Sequence, residues 1–387
     1  MERLMNRVIR NEKERLRVQK VEELAARLAE RAAVHDREGS FPFENFADLR
    51  EAGYLKLTVP AEFGGDEISW YELVMLQERL AYGDGSTALA VGWHLGQLMH
   101  FRESRTWPEP LFAELCRDVV QHGAMINSFA SESASGSPSR GGKPETEAVR
   151  TDGGWLISGR KTFSTLSPIL DRFVVTAYIT EEDRVGTFLV RRSERTKVLE
   201  TWDTLGMRAT GSHDVVLDQA FVPDGERIPN DTPDAVDDGG GWLLHIPACY
   251  MGIAFAARDF ALQFARSYKP NSVGGPISEL TSVQQMLGQI EAELRTARSL
   301  LYACAERWDR DESVRVQLKP DLGLAKYTVT NGAIKIVDLA MRVVGGTSLA
   351  KEFPLERYYR DVRAGLHNPP MDHNVLTMLA RSALQEH

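Results

Sequence analysis

The sequence predicts an α+β protein in three parts: an N-terminal α-helical domain over residues 1–122, a middle β-barrel domain over 123–229 and a C-terminal four-helix bundle domain over 230–387. Three observations predict it. Apolar residues recur every three or four positions in the first and last thirds, as helices with one buried face require. The middle third changes to short runs rich in β-branched and aromatic residues, separated by Gly, Asp or Pro. A chain of 387 residues with 43% hydrophobic content is long enough to bury more than one core.

In chain order, Leu16, Val21, Leu24, Ala25 and Leu28 form one apolar stripe on a helix running from Glu12 to about Ala33, and Phe41-Pro42 breaks it. Helical patterns continue to residue 120, punctuated by Gly53, by a Pro60–Gly65 loop and by Gly83-Asp84-Gly85. Strands are expected within Trp155–Ser164, Phe173–Thr180, Thr187–Arg191 and Asp214–Leu217. Asn230–Gly241, rich in Asp and Gly, reads as an exposed linker. Val283 to Trp308 and Leu322 to Val343 then carry sustained helical spacing, which predicts two long antiparallel helices. An apolar stripe wider than one helix can bury invites subunit association, so a homotetramer, or at least a dimer, is expected.

The formal net charge of -9 gives no general attraction to nucleic acid or to anionic membranes. The first residues, Met1–Gln19, mix charges throughout, and no run reaches the ~18 apolar residues of a membrane span, so a soluble cytoplasmic protein is expected. Cys116, Cys249 and Cys304 lie too far apart for a disulfide framework or a thiolate metal site, so buried free thiols and no metal are expected.

Several strings are more specific than packing demands. Leu205-Gly206-Met207-Arg208-Ala209-Thr210-Gly211-Ser212-His213-Asp214-Val215-Val216-Leu217 resembles the middle-domain signature of the acyl-CoA dehydrogenase superfamily of flavoenzymes. Val59-Pro60 through Gly64-Gly65 looks like that family's Val-Pro-x-x-x-Gly-Gly loop. Ser131-Glu132-Ser133-Ala134-Ser135-Gly136-Ser137 looks like a weakened Thr-Glu-Pro-Gly-Ala-Gly-Ser motif, and Lys161-Thr162-Phe163-Ser164-Thr165 corresponds to Lys-x-Trp-Ile-Thr. Gly345-Gly346 and Arg360-Asp361 match the glycine pair and Arg-Asp of the last domain. The resemblance covers nearly the whole chain and implies FAD, with FMN as the alternative.

A flavin needs hydrogen-bonding groups along its pyrimidine edge, a wall against its ring and small residues beside its phosphates. The resemblance puts Ser128, Ala130 and Ser131 at the edge, Phe163 and Thr165 at the wall, Gly136 and Ser137 in the same motif, and Gly345 with Gly346 at the phosphates. Glycines let the backbone approach phosphate oxygens closely. The family's pyrophosphate-binding arginine is replaced by Tyr268, and Arg342, where the family has glutamine, is expected to restore a positive charge.

Dehydrogenation of an acyl-CoA requires a base, in this family a glutamate whose burial raises its pKa toward neutrality. The matching position here is Pro369, and a second position used by some members falls at Trp242 and Leu243. His367, two residues before Pro369, carries an imidazole, the side chain suited to proton transfer near neutral pH, and is the first candidate for that role; His94 is the second. Leu366-His367-Asn368-Pro369 also resembles a motif of dibenzothiophene-monooxygenase-like oxygenases. Asp372, after Pro369-Pro370-Met371, is expected to cap a helix, and His213-Asp214 is discounted as a dyad because adjacent strand residues face opposite ways. The resemblance implies oxidation of an acyl-CoA-type substrate by hydride transfer to FAD, with an electron-transfer flavoprotein as redox partner. The alternatives are a two-component monooxygenase of a small sulfur, nitrogen or aromatic compound, fed by a flavin reductase, and a non-catalytic flavin-binding member.

Overall fold

The computed structural model describes residues 2–134, 142–229 and 240–385. After a short first turn, α1 (Glu2–Met5), comes α2 (Glu12–Glu38), which begins where the Asn11 side chain accepts the Glu14 N–H at 2.9 Å and ends at Gly39 in the left-handed region. Val18, Val21, Leu24, Ala25 and Leu28 are buried as the stripe requires; Leu16 lies off that face and is 53% exposed. Then follow α3 (Phe43–Glu51), α4 (Trp70–Gly83), α5 (Gly85–Ser104) and α6 (Glu109–His122). Ser69 and Glu72 form a capping box on α4. α5 is buried on nearly every side, and both α2 and α5 pack on α4.

The middle region holds β1 (Ile126–Phe129), β2 (Glu147–Thr151), β3 (Gly154–Lys161), β4 (Arg172–Ile179), β5 (Arg184–Arg191), β6 (Thr196–Leu199), β7 (Asp214–Pro223) and β8 (Arg227–Ile228). They form one sheet in the order β6-β7-β3-β2-β4-β5-β8, and one edge of β4 is shared end to end by β1 and β2, both parallel to it. Alternation sorts the faces: Phe173, Val175, Ala177 and Ile179 of β4 enter the main core, while Val174 and Leu189 turn outward against Leu115, Cys116 and Val119 of α6. The helical first domain therefore covers the outer face of the sheet.

The last region contains α7 (His245–Ser267), α8 (Thr281–Arg310), α9 (Lys319–Val344), α10 (Leu355–Arg363) and α11 (Asp372–Gln385). The predicted long pair is α8 and α9, and α7 packs on both α9 and α4. Close approach depends on small residues: a Cβ on Gly252 of α7 would lie 2.2 Å from the Glu78 carbonyl oxygen of α4. At the start of α4, the amides of Trp70 and Tyr71 donate to the Asp309 carboxylate of α8 at 3.0 and 2.8 Å, so first and last regions share a helix cap. Cys116, Cys249 and Cys304 are buried free thiols; burial pushes Cys116 up to about 12 and Cys304 up to about 11. Among the described residues, no helix is long and apolar enough to cross a membrane.

Candidate active site

The rim of the sheet gathers residues from three separated strings. Asn127 of β1 donates from Nδ2 to the Thr165 carbonyl at 3.1 Å, and its Oδ1 accepts the Ser128 N–H at 2.8 Å. Ser128 donates its hydroxyl to Gln97 of α5 at 2.7 Å, and the Thr162 N–H donates to the Ser131 carbonyl at 2.9 Å. Ser128, Ala130 and Ser131 thus lie half-buried along a segment tied to the one carrying Phe163 and Thr165. Gly136 and Ser137 lie outside the described residues.

A buried ion pair fixes this rim. Lys161 and Glu132 are both sequestered, joined at 2.5 Å; the carboxylate also accepts the Thr146 hydroxyl at 2.7 Å and the Glu145 N–H, and Lys161 donates to the Thr176 carbonyl at 2.7 Å. Burial opposes ionisation of Glu132, yet the bonds from Lys161, Thr146 and Glu145 outweigh it and hold the carboxyl below its ordinary range. Burial lowers the Lys161 pKa, against the opposing pull of Glu132.

Beyond Lys161 the backbone is strained. Phe163 and Leu166 have φ of 55° and 70°, a region that side chains other than glycine enter at a cost of roughly 1–3 kcal/mol. The strained turn holds the Phe163 ring 68% exposed, edge-on to Trp202 at 5.8 Å. The Thr165 hydroxyl meets Ser212 at 2.8 Å, Ser212 meets Thr210 at 2.7 Å, and Thr210 donates to the Met207 carbonyl at 3.0 Å. The Met207 N–H then donates to Asp361 of α10 at 2.6 Å. Burial pushes the Asp361 carboxyl up to about 7, against the Met207 bond and nearby Arg357. A chain of polar contacts therefore runs from the exposed aromatic rim into the last domain.

The two histidines have different fates. His94 is completely buried: its Nδ1 accepts the Ile126 N–H at 3.1 Å and its Nε2 lies 3.0 Å from the Leu55 carbonyl, which fixes the tautomer with the proton on Nε2. Burial lowers its pKa to about 4. With both nitrogens engaged by backbone, His94 ties α5 to the Leu55 turn and to β1. His367 is exposed on the turn after α10. That turn is itself pinned, because the buried Tyr250 of α7 donates its hydroxyl to Asn368 at 2.5 Å and a Cβ on Gly365 would lie 3.1 Å from Thr330 of α9.

The phosphate-side candidates stand apart from this rim. Gly345 ends α9 with φ of 77°, and Arg342, Gly345 and Gly346 are all exposed. Among the described residues, a Cβ on either glycine meets no atom within 4 Å, so the cradle expected there is not closed by this chain alone. Asp372 starts α11 as expected, but its carboxylate turns to Asn331 and the buried Lys326 of α9. Asp214 pairs with Arg160, and His213 Nδ1 accepts the Trp202 N–H at 3.0 Å, so the two form no dyad. Sequence reasoning missed Asn127, Glu132, Lys161, Ser212 and Asp361 as site residues. A lysine closing a strand rich in apolar residues, Gly154–Lys161, was the available signal.

Three family models match: the acyl-CoA dehydrogenase N-terminal domain over residues 11–102, the middle domain over 128–220 and the C-terminal domain over 244–366. The chain belongs to the acyl-CoA dehydrogenase family. It is 47% identical to "Putative acyl-CoA dehydrogenase YdbM" of Bacillus subtilis over 382 residues, covering 98% of this chain and 100% of that protein. It is 32% identical to L-evernosamine nitrososynthase of a Micromonospora species, covering 88% of this chain and 82% of the relative. Among solved structures, KijD3 in complex with FMN and dTDP-3-amino-2,3,6-trideoxy-4-keto-3-methyl-D-glucose superposes with a TM-score of 0.84 at 28% identity, over 97% of this chain and 95% of that one. Glutaryl-coenzyme A dehydrogenase shares the fold, with a TM-score of 0.86 at 21% identity over 98% and 97% of the two chains.

Proposed function

We propose that this protein is a flavin-dependent oxygenase of a small nitrogen- or sulfur-bearing compound, served by a separate flavin reductase. The observation that supports this reading over dehydrogenation is the turn from Ala364 to Met371. It carries no carboxyl side chain, has Pro369 where the family's base stands, and presents His367 to solvent. Removing an α-proton from a thioester needs a base within hydrogen-bond reach, and proline has none to offer. The nearest carboxylate in sequence, Asp372, is engaged by Lys326 and Asn331.

The rim suits a flavin. An exposed aromatic face held by a strained turn, beside polar groups on Ser128, Ser131 and Thr165, matches a planar ring with a hydrogen-bonding edge. When bound, the flavin supplies the two-electron redox chemistry. The protein's own part is to orient that ring: the Glu132–Lys161 pair fixes the edge segment, and the Asn127 bond to Thr165 fixes its distance from the wall. His367 moves the proton that oxygen insertion requires. FMN and FAD both fit this rim; the exposed Arg342, Gly345 and Gly346 serve the adenylate side of FAD when a second copy of the chain closes the cradle.

The second reading, oxidation of an acyl-CoA, draws on the full-length likeness to YdbM and on the likeness to benzylmalonyl-CoA dehydrogenase of Aromatoleum aromaticum, 29% identical over 345 residues. One experiment separates the two. Protein mixed anaerobically with a panel of acyl-CoAs should leave flavin absorbance unchanged, whereas reduced FMN and oxygen with primary amines or sulfides should give oxygenated product. Bleaching by an acyl-CoA without oxygenated product would reverse the assignment. Under the proposal, His367→Ala should lower turnover about 10²-fold or more, as loss of a general acid or base does, with the folded state and flavin binding retained.

A further inference from the structure

The face of α7 turned away from Phe260, Phe264 and Tyr268 borders a groove of about 800 Å³, closed by the end of α4, by α8 and by the first turns of the chain. Among the described residues, four arginines line it, Arg7, Arg258, Arg266 and Arg295, against one lining carboxylate, Asp259. In a chain of net charge -9, this concentration of guanidinium groups runs against the average.

The floor is pre-organised. Arg258 donates from Nε to Glu291 at 2.6 Å and from Nη1 to Asp259 at 2.6 Å, while Asp259 also accepts the Tyr82 hydroxyl at 3.2 Å. Arg295 donates to the second oxygen of Glu291 at 3.1 and 3.0 Å. Glu291 and Asp259 thus hold two guanidinium planes in place and leave a local excess of positive charge. Arg7 and Arg266 are exposed and, among the described residues, form no ion pair. Guanidinium forks match the oxygens of a phosphate group, and converging like charges are favourable chiefly when an anion joins them. Leu4 and Leu262 add an apolar strip beside the charges. A concavity of this size suits a small molecule.

We propose that this groove is a binding site for a small phosphorylated compound, separate from the rim of the sheet. The phosphate sits between Arg266 and Arg7, above the fixed Arg258, and the organic part lies on Leu4 and Leu262. No lining residue belongs to the candidate active site, so the inference stands whichever reaction the protein performs.

Full-length protein saturated with flavin, so that any phosphate site for the cofactor is filled, would be titrated calorimetrically with inorganic phosphate and then with a hydrophobic alkyl phosphate. Saturable binding is expected, weakening as salt is added, with the alkyl phosphate binding more tightly than inorganic phosphate. Arg266→Ala and Arg7→Ala should each weaken binding about tenfold or more, as loss of a charge-assisted contact does. Arg195→Ala, in the turn before β6 and outside the groove lining, should not. Both groove arginines are exposed, so flavin binding and the unfolding midpoint should stay unchanged and show that the variants are folded. Absence of saturable binding, or equal affinity in the groove variants and the wild type, would overturn the site; tighter binding of free phosphate than of the alkyl phosphate would overturn the organic ligand.

Discussion

At His94 an imidazole that titrates near neutrality in water is silenced by its surroundings. Its pKa is lowered to about 4, chiefly by burial, while an unfolded chain returns it to an ordinary value of about 6.5. The folded pKa is depressed, so the stability tied to this group is present above about 6.5 and is lost as pH falls toward 4. His94→Gln should flatten that acid limb in a plot of unfolding midpoint against pH; a variant with the wild-type slope would show that the ring is not held neutral. The Lys161–Glu132 pair makes the complementary case. Lys161→Met strands a buried carboxylate and should cost about 3–5 kcal/mol, while adding Glu132→Leu should recover much of the loss. Denaturant titration of both variants checks this, and loss of flavin retention in the single variant should accompany it.

Among elements, close crossings matter more than propensity. The α4–α7 contact admits no side chain at Gly252, where a Cβ would sit 2.2 Å from a backbone oxygen that cannot swing away. Gly252→Ala should therefore destabilise the protein by about 1–3 kcal/mol or more, even though alanine is the better helix former. The same argument applies between the Leu205–Met207 turn and α10, since a Cβ on Gly206 would lie 2.4 Å from the carbonyl of Arg360. If Gly252→Ala instead raised the unfolding midpoint, the helices would have room to separate and the crossing would not be tight.

Across the whole molecule, one clasp joins all three regions. Arg360 of α10 binds the Asp36 carboxylate of α2 at 2.8 and 2.6 Å and the Leu205 carbonyl at 3.0 Å, while Arg208 donates to the Asp36 carbonyl at 2.7 Å. Asp361, next in sequence, holds the Met207 amide that ends the hydroxyl chain from Thr165. Arg360→Gln should accelerate amide exchange through residues 203–211 while leaving the interior of the sheet protected. The Asp361 carboxyl has a folded pKa of about 7, above its ordinary value of about 3.9, so its stability is present at low pH and is lost as pH rises through 7. The gap in unfolding midpoint between the wild type and Asp361→Asn should therefore shift against the wild type between pH 4 and 8. A constant gap would mean that the carboxyl stays ionised throughout.

Periodicity and motif spacing determined the order of helical, sheet and helical regions, because the choice between a 3.6-residue and a 2-residue repeat is local. They also determined the segments that form the rim, since Phe163, Thr165 and Ser128 sit in strings whose composition departs from packing needs. Which histidine is enclosed and which stays in solvent was decided only by tertiary structure. His94 and His367 are chemically identical in sequence, and only the packing of β1 and the Leu55 turn encloses one while the other stays in solvent. The Glu132–Lys161 pair, 29 residues apart, and the Asp361–Met207 link, 154 apart, could not be read from spacing because each depends on where a distant strand or helix docks. Burial and partnership are properties of the folded neighbourhood, and they set both the charge state and the availability of every candidate group.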